Sequence, residues 1–380
     1  MSDRRLESLA RVICEYSLQV EPGQLMLIEA PALAEPLVLE IVQRALEMGA
    51  LPRVRVAAEG TQLAFLTEAA EQQLRTLLPS AMPEMAAIDL RVAIHSAWNT
   101  RELSGVDPAR VAAVQESRAP LMELYMRRSA AKELRWCVTA FPCQAFAQDA
   151  DMSLAAYEDF VYRAGWLHLP DPVAAWRGFA EQLGAIADRL SGVRTLRVLA
   201  EDTDLTVGVA GRTWVPCNGE RNFPDGEVFT GPIETETNGD VRFSFPAIFS
   251  GREVEDVRLR FDRGRVVQSE AAAGQELLQQ MLAIDEGASI LGEFAIGTNY
   301  AVEKFTRQIL FDEKIGGTCH MALGAGYPDT GSINRSGLHW DMVCDLRSGG
   351  EIHADGEVIY RDGQFLPSFF AEELVAPAAA

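Results

Sequence analysis

The apolar residues in the first half of the chain alternate between helical and strand-like spacing. Between Leu6 and Cys14 they recur every three or four residues, which predicts an amphipathic helix. A longer helical pattern over 153–190 is interrupted at Pro170 and Pro172. Strand-like segments with helices between them lie at 24–29, 52–57, 87–95 and 134–139. This alternation predicts a layered α/β domain with a mainly parallel sheet.

The pattern changes after Gly192, where short apolar segments are separated by glycine, aspartate and asparagine. The segments that read as strands are 195–200, 205–209, 241–245, 254–261 and 266–270. One clear helix, 274–282, interrupts them. The second half therefore predicts a β-rich α+β domain. We place the boundary near residue 193, so that the N-terminal α/β domain spans 1–193 and the β-rich domain spans 194–380.

The composition is that of a globular protein with an acidic surface. Hydrophobic residues make up 48% and charged residues 23% of the sequence, which is ordinary for a globular chain. The 55 acidic residues outnumber the 34 basic ones, so the formal net charge is −21. Such a surface repels nucleic acids and anionic membranes, and neither is an expected partner. A cationic ligand such as the N-terminal ammonium of a peptide would be attracted, although the same charge also serves solubility.

The sequence predicts a cytoplasmic protein without a membrane span. It contains no run of about eighteen apolar residues, and the N-terminal segment lacks the apolar core of a signal peptide. The six cysteines show no C-x-x-C spacing. Scattered cysteines of this kind predict free thiols in a reducing compartment.

Ionisable residues occur inside apolar segments of the C-terminal half. Glu293 lies in the strand-like segment 290–296. Burying an unpaired carboxylate is costly, so Glu293 needs a cation, a hydrogen-bond partner or a raised pKa; a salt bridge with an arginine is the structural alternative. His320 lies in the strand-like segment 318–323 between glycines that allow close backbone approach. The alternative for His320 is a hydrogen-bonded core histidine.

Three further residues add candidate ligands. His339 and Asp341 are two apart in a predicted strand, 338–344, so both side chains lie on one face. They can hold a metal ion there, or simply hydrogen-bond to each other. Glu227 follows a turn, which predicts a carboxylate exposed at a domain edge; spacing alone does not distinguish it from a surface glutamate. The glycines at 324 and 326 do not complete a phosphate-binding motif.

Together these segments resemble the M29 family of metallo-aminopeptidases, and within it the aminopeptidase T-like branch. The resemblance is carried by 310–328, LFDEKIGGTCHMALGAGYP, and by 334–342, NRSGLHWDM. Shorter supporting segments are GEVFTGP at 226–232 and GEFA at 292–295. The resemblance extends over most of the chain and is densest after residue 200.

The resemblance implies a two-metal exopeptidase that removes N-terminal residues from peptides and acts as a homodimer. It makes the β-rich domain the metal-binding domain and places the family's functional tyrosine on Tyr327. The family's metal-site residues fall here on Glu227, Glu293, His320, His339 and Asp341. We assign Glu293 as general base or bridging ligand, two roles that the sequence does not separate, and Tyr327 as a hydrogen-bond donor to the developing oxyanion.

The ligand set suits a pair of divalent ions and no other cofactor. Two imidazoles and three carboxylates fit Zn²⁺, Co²⁺ or Mn²⁺ better than Ca²⁺. Two such ions about 3.5–4 Å apart can share a water, lower its pKa and polarise a scissile carbonyl. The sequence does not indicate which metal is used or which N-terminal residues are preferred.

Two other functions are compatible with parts of this ligand set. Two histidines and a carboxylate also match the facial triad of a single-metal Fe(II) ring-cleaving dioxygenase. A non-catalytic module stabilised by its metal is the other alternative, but structural zinc sites are usually closed and rich in cysteine. The presence of both Glu227 and Tyr327 favours the peptidase.

Overall fold

The structure is a computed structural model that describes residues 3–249 and 251–370. Its helices are α1 (Arg4–Val12), α2 (Glu35–Glu47), α3 (Thr61–Glu68), α4 (Glu71–Leu74), α5 (Ala81–Ala87), α6 (Pro108–Ala130), α7 (Gln144–Asp149), α8 (Leu154–Ala164), α9 (Pro172–Leu190), α10 (Gln275–Leu282), α11 (Ile309–Asp312) and α12 (Pro367–Phe370). Short helical turns lie at Ile13–Ser17, Ala32–Ala34 and Pro328–Thr330. Within the described ranges, none of the helices has the length and apolar character needed to span a bilayer.

The strands are β1 (Leu25–Pro31), β2 (Leu51–Ala57), β3 (Leu90–His95), β4 (Arg135–Ala140), β5 (Thr195–Ala200), β6 (Thr203–Gly208), β7 (Val215–Cys217), β8 (Asn222–Phe223), β9 (Glu227–Thr230), β10 (Thr237–Phe243), β11 (Ala247–Phe249), β12 (Arg252–Val254), β13 (Val257–Asp262), β14 (Arg265–Glu270), β15 (Leu291–Gly297), β16 (Thr318–Gly324), β17 (His339–Asp345), β18 (Glu351–Ala354), β19 (Glu357–Arg361) and β20 (Gln364–Phe365).

These elements form two compact units. One contains the described residues up to Gly178 together with Asn218–Pro224; the other contains Phe179–Cys217 and the described residues after Pro224. The domain boundary near residue 193 stays a prediction.

The first unit is the parallel α/β structure that the sequence predicts. Its five-stranded sheet has the order β2-β1-β3-β4-β8, and every neighbouring pair is parallel. Met26, Leu27 and Ile28 of β1 are buried because helices follow the strands and cover the sheet. Strand β3 begins at Leu90 rather than at 87, because 81–87 forms α5.

The second unit is β-rich and antiparallel, in agreement with the predicted change after Gly192. One sheet has the order β14-β13-β10-β6-β5-β18-β19-β20, and another has the order β17-β16-β15-β9-β7. In the latter sheet, all seven residues of β15 and all seven of β16 are buried. Their near-continuous apolar sequences fit strands that are covered on both faces. Charged groups on these two strands therefore lie in a region of low dielectric constant.

Candidate metal centre

The residues predicted as metal ligands lie on one face of the sheet β17-β16-β15-β9-β7. Glu293 of β15 and Asp341 of β17 both pair with Ala322, from opposite sides of β16. His320 precedes Ala322 by two residues, and His339 precedes Asp341 by two. Because side chains in a strand alternate with a period of two, all four ligands point to the same side.

Glu227 joins this face from the neighbouring strand β9. It pairs with Gly297, which is separated from Glu293 by an even number of residues, so both carboxylates point to the same side. Glu227 is only 4% exposed, and the prediction of an exposed carboxylate at a domain edge is wrong. The preceding turn is itself covered: the Asn299 amide donates a hydrogen bond to the backbone oxygen of the buried Asp225.

A β-bulge at Gly292 sets the position of Glu293. The pairing register of β15 and β16 shifts between Leu291 and Glu293. A side chain at residue 292 would collide with the carbonyl oxygens of Gly324 and Ala325, so only glycine fits. Bulges occur often beside active sites, where they redirect a side chain. The glycine is therefore needed to place the Glu293 carboxylate.

The predicted ligands fall into two adjacent clusters, and within each the candidate ligand atoms lie within 4.8 Å of one another. The first cluster is Glu227, Glu313 and His320, and the second cluster is Glu293, His339 and Asp341; a third group, Cys217, Asp225 and Glu227, shares Glu227 with the first cluster.

Glu293 connects the two clusters. Its Oε1 lies 3.2 Å from His320 Nε2, and its Oε2 lies 3.7 Å from His339 Nε2. The same two ring nitrogens face Glu227 Oε2 at 3.2 Å and Asp341 Oδ2 at 3.6 Å. Each imidazole thus turns its Nε2 toward two carboxylates.

The tautomer of His339 is fixed by the backbone. Its Nδ1 lies 2.8 Å from the carbonyl oxygen of Ala325, which can only accept a hydrogen bond. In the neutral ring Nδ1 therefore carries the proton, and the lone pair on Nε2 points into the second cluster. Metal-binding histidines are commonly oriented in this way.

Unpartnered buried atoms indicate that the clusters fit divalent cations. Glu227 Oε2 and Asp341 Oδ1 are buried without a hydrogen-bond partner. Leaving such an oxygen unpaired costs about 1–3 kcal/mol or more when it is charged, and a cation would offset that cost. Carboxylate oxygens and imidazole nitrogens are the donor set expected for zinc, cobalt or manganese.

Burial and mutual charge perturb the acid–base behaviour of the centre. Burial raises the pKa of Glu227 to about 7, against the opposing charges of Lys314 and His320. Burial and the charge of Glu313 raise the pKa of Asp341 to about 8. Burial lowers the pKa of His320, but Glu227, Glu293 and Glu313 outweigh it and raise the pKa to about 9. Without cations, the centre therefore retains protons at neutral pH.

These pKa shifts predict a distinct pH dependence for the metal-free protein. A group whose pKa is raised on folding contributes stability at low pH and loses it as the pH rises through the folded-state value. The pKa values of Glu227, Asp341 and His320 are all raised, so the melting temperature after chelation should fall by several degrees between about pH 6 and pH 9. The zinc-loaded protein should not show this fall, because cations replace the protons. A melting temperature that rises over this window in the chelated protein would contradict the electrostatic account.

Two charged residues of the centre, Glu313 and Lys314, were not predicted from the sequence. They follow the short helix α11 rather than lying in a strand, so no strand periodicity pointed to them. Glu313 contributes a candidate ligand atom to the first cluster, and Lys314 Nζ lies 2.8 Å from Glu313 Oε2 and 2.5 Å from Glu227 Oε1. Burial raises the pKa of Glu313, but Lys314 and His320 outweigh it, so the pKa is lowered and the carboxyl stays ionised. The only indication of them in the sequence is that an acidic and a basic residue stand next to each other shortly before His320.

Tyr327 lies at the edge of the centre. Its ring makes edge-to-face contacts with Phe229 and His339, at centroid distances of 5.4 Å and 5.3 Å. The residue is 45% exposed. Partial burial and the charges of Glu293 and Asp341 raise the pKa of the hydroxyl, which therefore remains a hydrogen-bond donor at neutral pH.

Comparison with known proteins gives a consistent result over nearly the whole chain. The family model described as thermophilic metalloprotease (M29) matches residues 2–365. Aminopeptidase 2 of Geobacillus stearothermophilus is 28% identical over 407 residues, covering 97% of this chain and 97% of the relative. Aminopeptidase T of Thermus aquaticus is 29% identical over 398 residues, covering 95% of this chain and 96% of the relative.

The fold is also similar to a solved structure. Wild-type AmpT from Thermus thermophilus superimposes with a TM-score of 0.85 at 25% sequence identity. The superposition covers 96% of this chain and 99% of the other. The order of a parallel α/β region followed by an antiparallel β-rich region is therefore confirmed.

Proposed function

Because the chain belongs to the M29 family of metalloproteases, we propose that it is an aminopeptidase that hydrolyses the N-terminal residue from peptides at a centre holding two divalent cations. The observation that carries this proposal is the pair of adjacent clusters joined by the two oxygens of Glu293. The relatives quoted above are named aminopeptidases, which supports the choice of substrate.

The charge of the centre supports two cations rather than one. The four carboxylates of the two clusters, the neighbouring Asp225 and the Lys314 ammonium give −5 + 1 = −4 when both histidines are neutral. One divalent cation would leave negative charge buried in the sheet, where it is costly. Two cations, drawn from Zn²⁺, Co²⁺ or Mn²⁺, would lower the pKa of a shared water and polarise the scissile carbonyl.

The protein groups have separate roles in the proposed reaction. Glu293 directs one oxygen to each cluster and would hold both cations, which would leave the role of general base to another group. Glu313 lies at the first cluster and is ionised at neutral pH, so its carboxylate is the group placed to accept the proton of the attacking water and pass it to the leaving amine. The Tyr327 hydroxyl stabilises the negative charge that develops on the carbonyl oxygen.

The negative charge of the centre also favours the proposed substrate. A peptide with a free N-terminus presents an ammonium group, which is attracted to exposed edges of an acidic site. The formal net charge of −21 adds a favourable long-range field for such substrates.

The homodimer implied by the family resemblance is part of the proposal and is tested by light scattering on the purified protein.

The number of carboxylates in the centre argues against the alternative function, a single-metal Fe(II) dioxygenase. A facial triad needs one histidine pair and one carboxylate around one ion, whereas this centre has four carboxylates in two clusters. Membership of a metalloprotease family points away from it as well.

A hydrolysis panel tests the proposed function. Metal-free protein is mixed with Zn²⁺, Co²⁺ or Mn²⁺ and assayed on aminoacyl p-nitroanilides and on the same compounds with an acetylated N-terminus. We expect metal-dependent hydrolysis of the free-amine substrates alone. Equal cleavage of the acetylated compounds, or no cleavage with any metal, would count against an aminopeptidase. One iron per chain with oxygen consumption would instead support the dioxygenase.

Removing the Tyr327 hydroxyl tests its role. Tyr327→Phe keeps the ring contacts with Phe229 and His339 but loses the donor. We expect kcat to fall roughly a hundredfold, as when one oxyanion donor is removed from other enzymes, with unchanged metal content. Wild-type kcat at equal metal content would show that the hydroxyl has no such role.

A further inference from the structure

Lys314 is a charged side chain buried against the first cluster. The residue is 0% exposed. Its Nζ lies 2.5 Å from Glu227 Oε1, 2.8 Å from Glu313 Oε2 and 3.6 Å from Asp225 Oδ1. Fully buried lysines are rare and require ionic partners. A positive charge therefore lies directly beside two ligands of the first cluster.

Lysine is rare in this chain, so the composition does not explain why position 314 is a lysine. Lys and Arg together number 34, and only three of them are lysines. The other two, Lys132 and Lys304, are exposed. An ammonium is a compact charge with three donors, whereas a guanidinium is a planar fork suited to one bidentate partner. The three separate carboxylates around Lys314 thus match an ammonium.

Lys314 also orients Glu227. It binds Oε1, and the other oxygen, Oε2, has no hydrogen-bond partner and lies 3.2 Å from His320 Nε2. One oxygen of Glu227 is thus reserved for the ammonium. Only the other remains for a cation in the first cluster.

The second cluster has no comparable positive group. Among residues 3–249 and 251–370, no lysine or arginine forms an ion pair with Glu293 or Asp341; their ionic partners are histidines. The two carboxylates of the first cluster and Lys314 carry −2 + 1 = −1, and the neighbouring Asp225 brings this total to −2, equal to the −2 of the second cluster. Each cluster contains one imidazole, so the two differ in the ammonium that lies directly beside the first cluster rather than in net charge.

On the premise of the two-cation function, we propose that Lys314 makes the two cation positions unequal. The second cluster binds its cation tightly and loads first. The cluster of Glu227, Glu313 and His320 binds its cation later and more weakly. The Lys314 ammonium repels this cation, and one oxygen of Glu227 is already bound to the ammonium. Full activity then depends on the concentration of free divalent cation near the affinity of the first cluster.

A titration of the metal-free full-length protein with Co²⁺ tests this inference, followed by calorimetry and by the visible absorption of bound cobalt. We expect two binding steps whose affinities differ by about tenfold or more. Asp341→Asn should remove the tight step, and Glu227→Gln should remove the weak one. These two variants assign the steps to the clusters without an activity measurement.

Two variants then change the charge beside the first cluster in opposite directions. Lys314→Met should tighten the weak step by about tenfold or more and bring the two steps together. Asp225→Asn removes an acid that offsets the ammonium and should weaken the same step further, while leaving the tight step unchanged. Lys132→Met, at an exposed lysine, is the matched control and should alter neither step.

The outcomes separate this inference from the function on which it rests. A variant that merely loosened the structure would weaken both steps, so selective tightening in Lys314→Met reports on charge. Two Co²⁺ ions bound per chain with equal affinity in the wild type would overturn the inference and leave the two-cation function intact, as would an unchanged weak step in both Lys314→Met and Asp225→Asn. A stoichiometry of one Co²⁺ per chain in the wild type would overturn the two-cation function itself.

Discussion

Replacing Glu293 by glutamine is expected to lower kcat/KM by roughly a thousandfold or more, equivalent to about 4 kcal/mol of transition-state stabilisation. The substitution keeps the shape of the side chain but removes the charge that both clusters share. Because one carboxylate would hold both proposed cations, its loss should also reduce the bound metal below that of the wild type. No single substitution elsewhere in the centre is expected to affect both positions as strongly.

The measurement combines steady-state kinetics on an aminoacyl p-nitroanilide with metal analysis after dialysis. Glu357→Gln is a suitable control, because Glu357 is an exposed glutamate on β19 of the same unit. The control should retain activity and metal. A Glu293→Gln variant with full metal content and low kcat would instead identify Glu293 as the general base and contradict its bridging role.

Glu313→Gln is expected to have the second largest effect, a fall in kcat of about a hundredfold to ten-thousandfold, the usual contribution of a general base. The glutamine still offers an oxygen to the first cluster and can still accept from Lys314, but it cannot take up a proton. Metal in the second cluster should therefore remain, and KM should change less than kcat.

The pH profile provides a further check on this variant. The acid limb of kcat/KM reports the ionisation of the free enzyme's base. Glu313→Gln should lose that limb, while Tyr327→Phe should retain it. Wild-type kcat in the Glu313→Gln variant would exclude Glu313 as the base and return that role to Glu293.

The sequence predicted the scaffold of the centre well because its strands have simple patterns. The apolar segments around Glu293 and His320 lie in strands that are buried on both faces, so continuous hydrophobicity marked them clearly. The H-x-D spacing of His339 and Asp341 predicted a shared face, and β17 confirms it. The assembly of the five predicted ligands came from the family resemblance, since strand register is not readable from one chain.

Other features depended on long-range packing. Glu227 looked like a surface residue because the residue that covers the turn before it, Asn299, is distant in sequence. Glu313 and Lys314 lie after one short helical turn, where no periodicity marks a buried side chain. The bulge at Gly292 arises from the close approach of Gly324 and Ala325, which only the paired strands reveal.

The central claim is that acidic and imidazole side chains from four strands and one loop surround two cations linked by Glu293. The most direct measurement is anomalous diffraction from crystals grown with excess zinc or cobalt. We predict two metal peaks about 3.5–4 Å apart, one between Glu227 and His320 and the other between His339 and Asp341, with a Glu293 oxygen at each. A single peak, or two peaks that do not share Glu293, would contradict the account.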